Sequence, residues 1–253
     1  SSNNETKVVC EERENFTYNV KIVENVLKIE CMEDELWYKN AINFNFKPQL
    51  ISVYLSQNNF ENLSITSTTG DIKIPHDFTF KNSDLNLTTG DVDFRANVLN
   101  SAKFETTTGN IKLSNFTSNK LDAKCTTGKI EMSNVKINED TNLELTTGDI
   151  VLNNFESSSY NSKSTTGDVI FKETIIKNHL EVETTTGSVV FKNSDANTLN
   201  IKTTTGSVKG NLLTSKIFVV NTVNGKVRVP DSISGGICKV STTTGSVSLK
   251  INK

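Results

Sequence analysis

One tripeptide decides what this chain can become. Thr-Thr-Gly ends at Gly70, Gly90, Gly109, Gly128, Gly148, Gly167, Gly187, Gly206 and Gly245, and Val223-Asn224-Gly225 fills the one gap. Successive glycines are 20, 19, 19, 20, 19, 20, 19, 19 and 20 residues apart. Ten of the 13 glycines stand at this one position. A unit this short cannot bury its own apolar face, so it becomes stable only by stacking on copies of itself.

The flanking residues say what the unit is. Two and four residues after the glycine stand apolar pairs: Ile72/Ile74, Val92/Phe94, Ile111/Leu113, Ile130/Met132, Ile150/Leu152, Val169/Phe171 and Val189/Phe191. Seven and five residues before it stand Leu63/Ile65, Ala102/Phe104, Leu121/Ala123, Leu180/Val182, Leu199/Ile201 and Phe218/Val220. Strict alternation is the period of a strand with one face buried, and helical spacing is absent. Each unit is predicted to be two short strands meeting at the Thr-Thr-Gly corner, with a short third side. The corner calls for a positive φ or a close backbone approach, both of which suit glycine. The exceptional Asn-Gly is itself a turn signal.

Charge order predicts how the units stack. Four residues before each glycine the column reads Glu105, Lys124, Glu144, Lys163, Glu183, Lys202. Three residues after it, Lys73, Asp93, Lys112 and Glu131 alternate likewise. Parallel, in-register stacking places each charge between opposite ones, at roughly 0.2–1 kcal/mol per pair, and any slip opposes like charges. The fold class that follows is all-β: a single-stranded parallel β-solenoid (β-helix) of about ten coils, on the order of 45 Å long at strand spacing.

Composition agrees with a thin core. Hydrophobic residues are 35% of the chain, and adding glycine still leaves it below the ~45–50% of an ordinary globular domain. The formal net charge of −2 argues against a general nucleic-acid binder. No apolar run approaches the ~18 residues of a membrane span.

The ends depart from the repeat. Upstream, Phe44, Phe46, Val53 and Leu55 fall at inward offsets and predict a degenerate coil. Phe16–Ile22 and Leu27–Cys31 read as a hairpin around Glu24-Asn25. With Trp37 and Tyr38 this segment is expected to cap the first rung, giving a β cap over 1–43 and a continuous solenoid over 44–253. The strand Ser246–Ile251 is expected on the last rung, where its open edge is either tolerated or meets another molecule. Cys125 and Cys238 fall at inward offsets six units apart, roughly 29 Å, and read as small core residues. A Cys10–Cys31 bridge is geometrically open.

Four kinds of chemistry compete with plainer structural roles. Asp71 and Asp91, and Asp149 and Asp168, stack one residue after the glycine and could hold Ca²⁺. The same column contains Asn110, Lys129, Ser188, Ser207 and Lys226, so solvated turn aspartates are expected, with no metal and no cofactor. The arginines Arg13, Arg95 and Arg228 and the histidines His76 and His179 are scattered, and no nucleophile–base constellation assembles, so no enzyme is expected. A flat ice-binding threonine array is disfavoured, because one of the two corner threonine columns is expected to face outward beside a column of strong ions. Val151, Ile170 and Val190 form the most specific surface feature: an apolar stripe on three adjacent rungs, in the column that is otherwise charged. Such a stripe is a candidate partner or self-association site.

The unit Thr-Thr-Gly-[Asp/Ser/Asn]-[Ile/Val]-x-[Leu/Phe/Ile] resembles a bacterial β-strand-repeat family of unknown function that carries an adhesin label. The resemblance covers at least residues 44–253. It implies a protein of the bacterial cell envelope or exterior, tied to a membrane segment in the full-length protein, and it offers no catalytic residues. The expected role is a non-catalytic surface interaction module displaying flat β-faces to an unknown protein or glycan of the envelope, with self-association through the apolar stripe or the open C-terminal edge. The alternatives are a polysaccharide-acting or calcium-dependent carbohydrate-binding β-helix, and an envelope-stress sensing or docking module.

Overall fold

The computed structural model describes residues 6–11, 16–33 and 50–252. The chain divides into two compact units, Ser1–Asn58 and Asn59–Lys253. In the first, strands Phe16–Val23 and Val26–Glu33 pair antiparallel. Glu24 and Asn25 turn the hairpin with φ of 50° and 63°, both left-handed. That geometry matches the twist of the two strands it joins. Strand Lys7–Cys10 pairs antiparallel with Ile51–Tyr54. Val53 therefore stands opposite Val8 in an antiparallel ladder, where a degenerate parallel rung was expected. Phe44, Phe46, Trp37 and Tyr38 lie outside the described residues. Cys10 and Cys31 stand in two separate sheets and are not joined by a disulfide.

The second unit is a parallel β-solenoid. Its ten rungs are named here by their corner glycines. One coil shows the design. Ile111–Ser118 and Lys120–Thr127 turn Ile111, Leu113, Phe116, Ser118, Leu121, Ala123 and Cys125 inward, all buried. The third side is the short run after Asn115, which makes a second corner with φ of 53°. Asn134, Asn154, Glu173 and Asn193 repeat that corner at 55°, 50°, 49° and 49°. Asparagine tolerates this conformation better than most residues, and its amide ladders between rungs. Asn134 Nδ2 donates to Asn115 Oδ1 at 3.0 Å, and Asn154 Nδ2 to Asn134 Oδ1 at 2.9 Å. An asparagine six residues after the glycine was the available signal for this corner, which the sequence expectations lack.

The Thr-Thr-Gly corner needs glycine for close approach as much as for backbone angle. A Cβ added to Gly148 would lie 1.7 Å from the carbonyl oxygen of Gly128, and one on Gly206 would lie 1.9 Å from that of Gly187. A hydroxyl or thiol three residues before the next glycine donates to the same carbonyl: Thr106 to Gly90, Cys125 to Gly109 and Thr203 to Gly187, at 3.3, 3.2 and 3.1 Å. Inside run two groups of aromatic contacts, one from Phe60 to Phe116 and one from Phe155 to Phe191. Phe94 lies 4.9 Å from Phe104 and 5.7 Å from Phe116, and Phe171 stacks on Phe191 at 4.9 Å. Each such buried side chain stabilises the rod by roughly 1.5–3 kcal/mol.

Rung order departs from sequence order at the C-terminal end. Strand Asp195–Thr205 pairs with Gly236–Thr244, which in turn pairs with Lys216–Asn224. Strand Val208–Leu212 likewise pairs with Val247–Ile251, which pairs with Val227–Arg228. The Gly245 rung, last in the chain, thus lies between the Gly206 and Gly225 rungs. A Cβ on Gly245 would strike Gly206, and one on Gly225 would strike Gly245. The expected placement of Ser246–Ile251 at the open edge is corrected: the outermost rung is that of Gly225. Cys125 and Cys238 are accordingly five rungs apart, roughly 24 Å at strand spacing.

Candidate functional site

The charged columns form as the register requires. Lys124 is flanked by Glu105 and Glu144, Lys163 by Glu144 and Glu183, and Lys202 stacks on Glu183. Lys124 Nζ lies 3.1 Å from Glu144 Oε2, and Lys202 Nζ 2.6 Å from Glu183 Oε1. The hydrogen bond from Lys202, assisted by the charges of Lys202 and Lys163, holds the Glu183 carboxyl below its ordinary range against partial desolvation. In the second column Lys73, Asp93, Lys112 and Glu131 stack in order. Arg95 grips Asp93 through Nε and Nη2 at 3.0 and 2.7 Å and lowers its carboxyl pKa.

The aspartate columns have a structural task. The backbone N–H of Asp91 donates to Asp71 Oδ1 at 2.8 Å, and that of Asn110 to Asp91 Oδ1 at 2.7 Å. Farther along, the Asp168 amide donates to Asp149 Oδ1 and the Ser188 amide to Asp168 Oδ1, both at 2.8 Å. The ladder then passes through Ser207 and Ser246 to the Lys226 amide, following the spatial rung order. Each carboxylate thus binds the next rung through a charge-assisted hydrogen bond. Among the described residues no group of three or more His, Cys, Asp or Glu could hold a metal ion.

Both corner threonine columns face solvent. Thr126 and Thr127, Thr146 and Thr147, and Thr165 and Thr166 are all exposed, where one outward column was expected. The corner is a convex bend, so neither side chain of the pair can turn into the core. The apolar stripe is continuous in register, Val151 to Ile170 to Val190, but it is not open. Val151 is 7% exposed, and Ile170 and Val190 are half-buried.

One polar cluster has no counterpart in the sequence expectations. Lys216 Nζ lies 2.8 Å from Asp195 Oδ1, with side chains only 3% and 9% exposed. Thr214 Oγ1 donates to Asp195 Oδ2 at 2.6 Å, the Ala196 amide donates to Oδ1 at 2.8 Å, and Lys216 donates to Thr214. The pair joins the Gly225 rung to the Gly206 rung across the intervening Gly245 rung, which contributes Gly236 opposite Lys216. The lysine starts a strand after a turn, and the aspartate opens another 21 residues earlier, so no local pattern announces them. Cys238, buried nearby, has its thiol pushed up to about 12, mainly by desolvation. Burial likewise pushes Cys125 up to about 11, so both thiols are inert core residues.

Two open depressions mark the surface of the described residues. One depression is lined by Lys103, Glu105, Asp122, Ala123, Lys124, Asn142 and Glu144, and another by Arg228, Val229, Pro230, Ser248, Leu249, Lys250 and Ile251. His76 lies 3.1 Å from the neighbouring Asp77, and His179 bonds Thr198 at 2.9 Å. The two histidines lie on rungs far apart and are not brought together. No helix among the described residues is long and apolar enough to cross a membrane.

Stacked glycine corners, alternating charge columns and ladders of Asn and Asp define the class: a parallel β-solenoid repeat protein. The chain belongs to the Toastrack DUF4097 family, whose profile matches residues 2–190 and 142–253. The family is one of unknown function. Comparison with curated proteins finds no match, and neither does comparison with solved structures.

Proposed function

We propose that this chain is a non-catalytic interaction module of the bacterial cell envelope or surface, whose β-solenoid presents columns of side chains to a protein or glycan. One observation carries this reading. The same exposed Thr-Thr pair recurs on nine of ten rungs, beside a face where lysine and glutamate alternate in register. Such a surface repeats at the strand spacing, about 4.8 Å, and suits a long, repetitive partner better than a small molecule. The described titratable groups support it too, since the charge columns pair with themselves and the aspartates bind backbone. The half-buried Ile170 and Val190 add an apolar contact within the charged column. In the full-length protein a membrane segment would hold the rod at the envelope.

The experiment is binding of the labelled chain to isolated bacterial envelopes and to a glycan panel, with calcium and with chelator. Saturable binding to one material, unchanged by chelator and weakened by Val190→Lys, is expected. Absence of saturable binding to every material would sink the proposal. Dependence on calcium would favour the carbohydrate-binding alternative and return attention to the aspartate columns.

A further inference from the structure

The outermost rung differs from every rung beneath it. On inner rungs the outward positions of the long strand are polar, as Lys120, Asp122, Lys124 and Thr126 on one and Asp140, Asn142, Glu144 and Thr146 on the next, with one exception on the adjacent Gly245 rung, where Ile237 stands opposite Ile217 and is followed by Lys239, Ser241 and Thr243. On the Gly225 rung the same positions are Ile217, Val219, Asn221 and Val223. Their apolar members are 39%, 52% and 72% exposed. The inward Phe218 and Val220 are themselves only partly buried. A strand apolar on both faces has the pattern of one covered on both sides, yet this one lies at an edge. Among the described residues, Lys216–Asn224 pairs only with Gly236–Thr244, and Val227–Arg228 only with Val247–Ile251. Natural edge strands are guarded by charge, proline or bulges. Residues 217–225, Ile-Phe-Val-Val-Asn-Thr-Val-Asn-Gly, contain no charge and no proline. The one lysine of the strand, Lys216, is buried against Asp195 and cannot guard the edge.

We infer that Lys216–Asn224 is a homodimer interface, at which two copies of the chain pair antiparallel about a two-fold axis, end to end. Charge points to a second copy as the occupant. Residues 217–225 are neutral, so pairing the run with itself opposes no like charges within it. A two-fold axis also places the outward Ile217, Val219 and Val223 of both copies on one face of the joined sheet, where they form apolar cross-strand pairs. The interface is isologous and closes at two subunits. Its end face is small beside the roughly 1,600 Å² of a standard interface, so a reversible, concentration-dependent dimer is expected. This inference does not depend on the surface-binding role.

The test is sedimentation velocity of the whole chain over a concentration series. The expected result is a shift from 27.9 kDa to twice that mass. Val219→Lys/Val223→Lys, both at exposed positions, should remain monomeric throughout with an unchanged melting curve. Amide exchange of residues 217–224 in the unaltered chain should slow as concentration rises, a readout that needs no variant. A monomer at every concentration, a dimer that survives the double substitution in folded protein, or open-ended polymers would each overturn the inference.

Discussion

At the scale of single residues, the corner glycine is fixed by its neighbour one rung away. Gly148 and Gly70 share nearly the same φ, 130° and 129°, but a Cβ on Gly70 meets nothing within 4 Å. Gly70→Ala should therefore cost only backbone strain, about 1–3 kcal/mol. Gly148→Ala adds a collision with the Gly128 carbonyl and should cost several kcal/mol, among the largest single-residue effects. Urea unfolding of the two variants decides this, and equal losses would count against close approach as the cause. The buried ion pair invites a second comparison. Lys216→Met strands the Asp195 carboxylate and should cost about 3–5 kcal/mol, whereas Lys216→Met/Asp195→Leu should recover most of that loss. A double variant as unstable as the single one would show that apolar side chains cannot fill the site.

At the scale of strands and their pairing, the charge columns act through register. Lys163→Glu would place three carboxylates in line with Glu144 and Glu183. It should destabilise the rod by about 1 kcal/mol at low salt and by less at high salt. A loss indifferent to salt would point to another cause. The Lys202–Glu183 pair adds a pH dependence. Because the folded-state pKa of Glu183 is depressed, its contribution is present above the unfolded value and is lost as pH falls through the folded one. Lys202→Met should therefore flatten the fall of stability on acidification below the ordinary glutamate range. Thermal melts across that range measure it, and an unchanged slope would remove the pair as a source. Inward and outward parity, the register and the Glu24-Asn25 hairpin were legible in the sequence, because each depends on residues adjacent in the strand or at a fixed repeat offset. The Asn115-type corner was equally periodic and could have been read from the same offsets.

At the scale of the whole repeat stack, the order of rungs is the feature to test. Thr205 stands beside Thr244, and Asn224 lies beyond it. Thr205→Cys/Thr244→Cys should oxidise to a disulfide, since neighbouring parallel strands fall within bridging distance. Thr205→Cys/Asn224→Cys, two rungs apart, should not. Thiol counting after mild oxidation distinguishes the two, and the opposite outcome would restore the sequential order. Insertion of the last rung also moves the open edge from the end of the chain to its interior residues 216–228. The surface most in need of a partner thus carries the one repeat whose corner is Val-Asn-Gly.

The sequence by itself determined that this chain stacks. A glycine every 19–20 residues, apolar alternation around it and charges of alternating sign leave a parallel in-register solenoid as the arrangement that satisfies all three. It could not determine which repeat lies on which. Repeats with the same alternation and the same corner are nearly interchangeable at the level of pairing, so local preference is close to degenerate among orders. Tertiary structure decided the C-terminal order, where contacts between repeats far apart in the chain enter: Lys216 reaching Asp195 across the inserted rung, and Thr242 donating to the Gly206 carbonyl at 3.1 Å. It also decided that both corner threonines stay outside and that Val151 is covered. Exposure at a bend and within a column depends on the shape of the coil, which alternation along one strand does not specify.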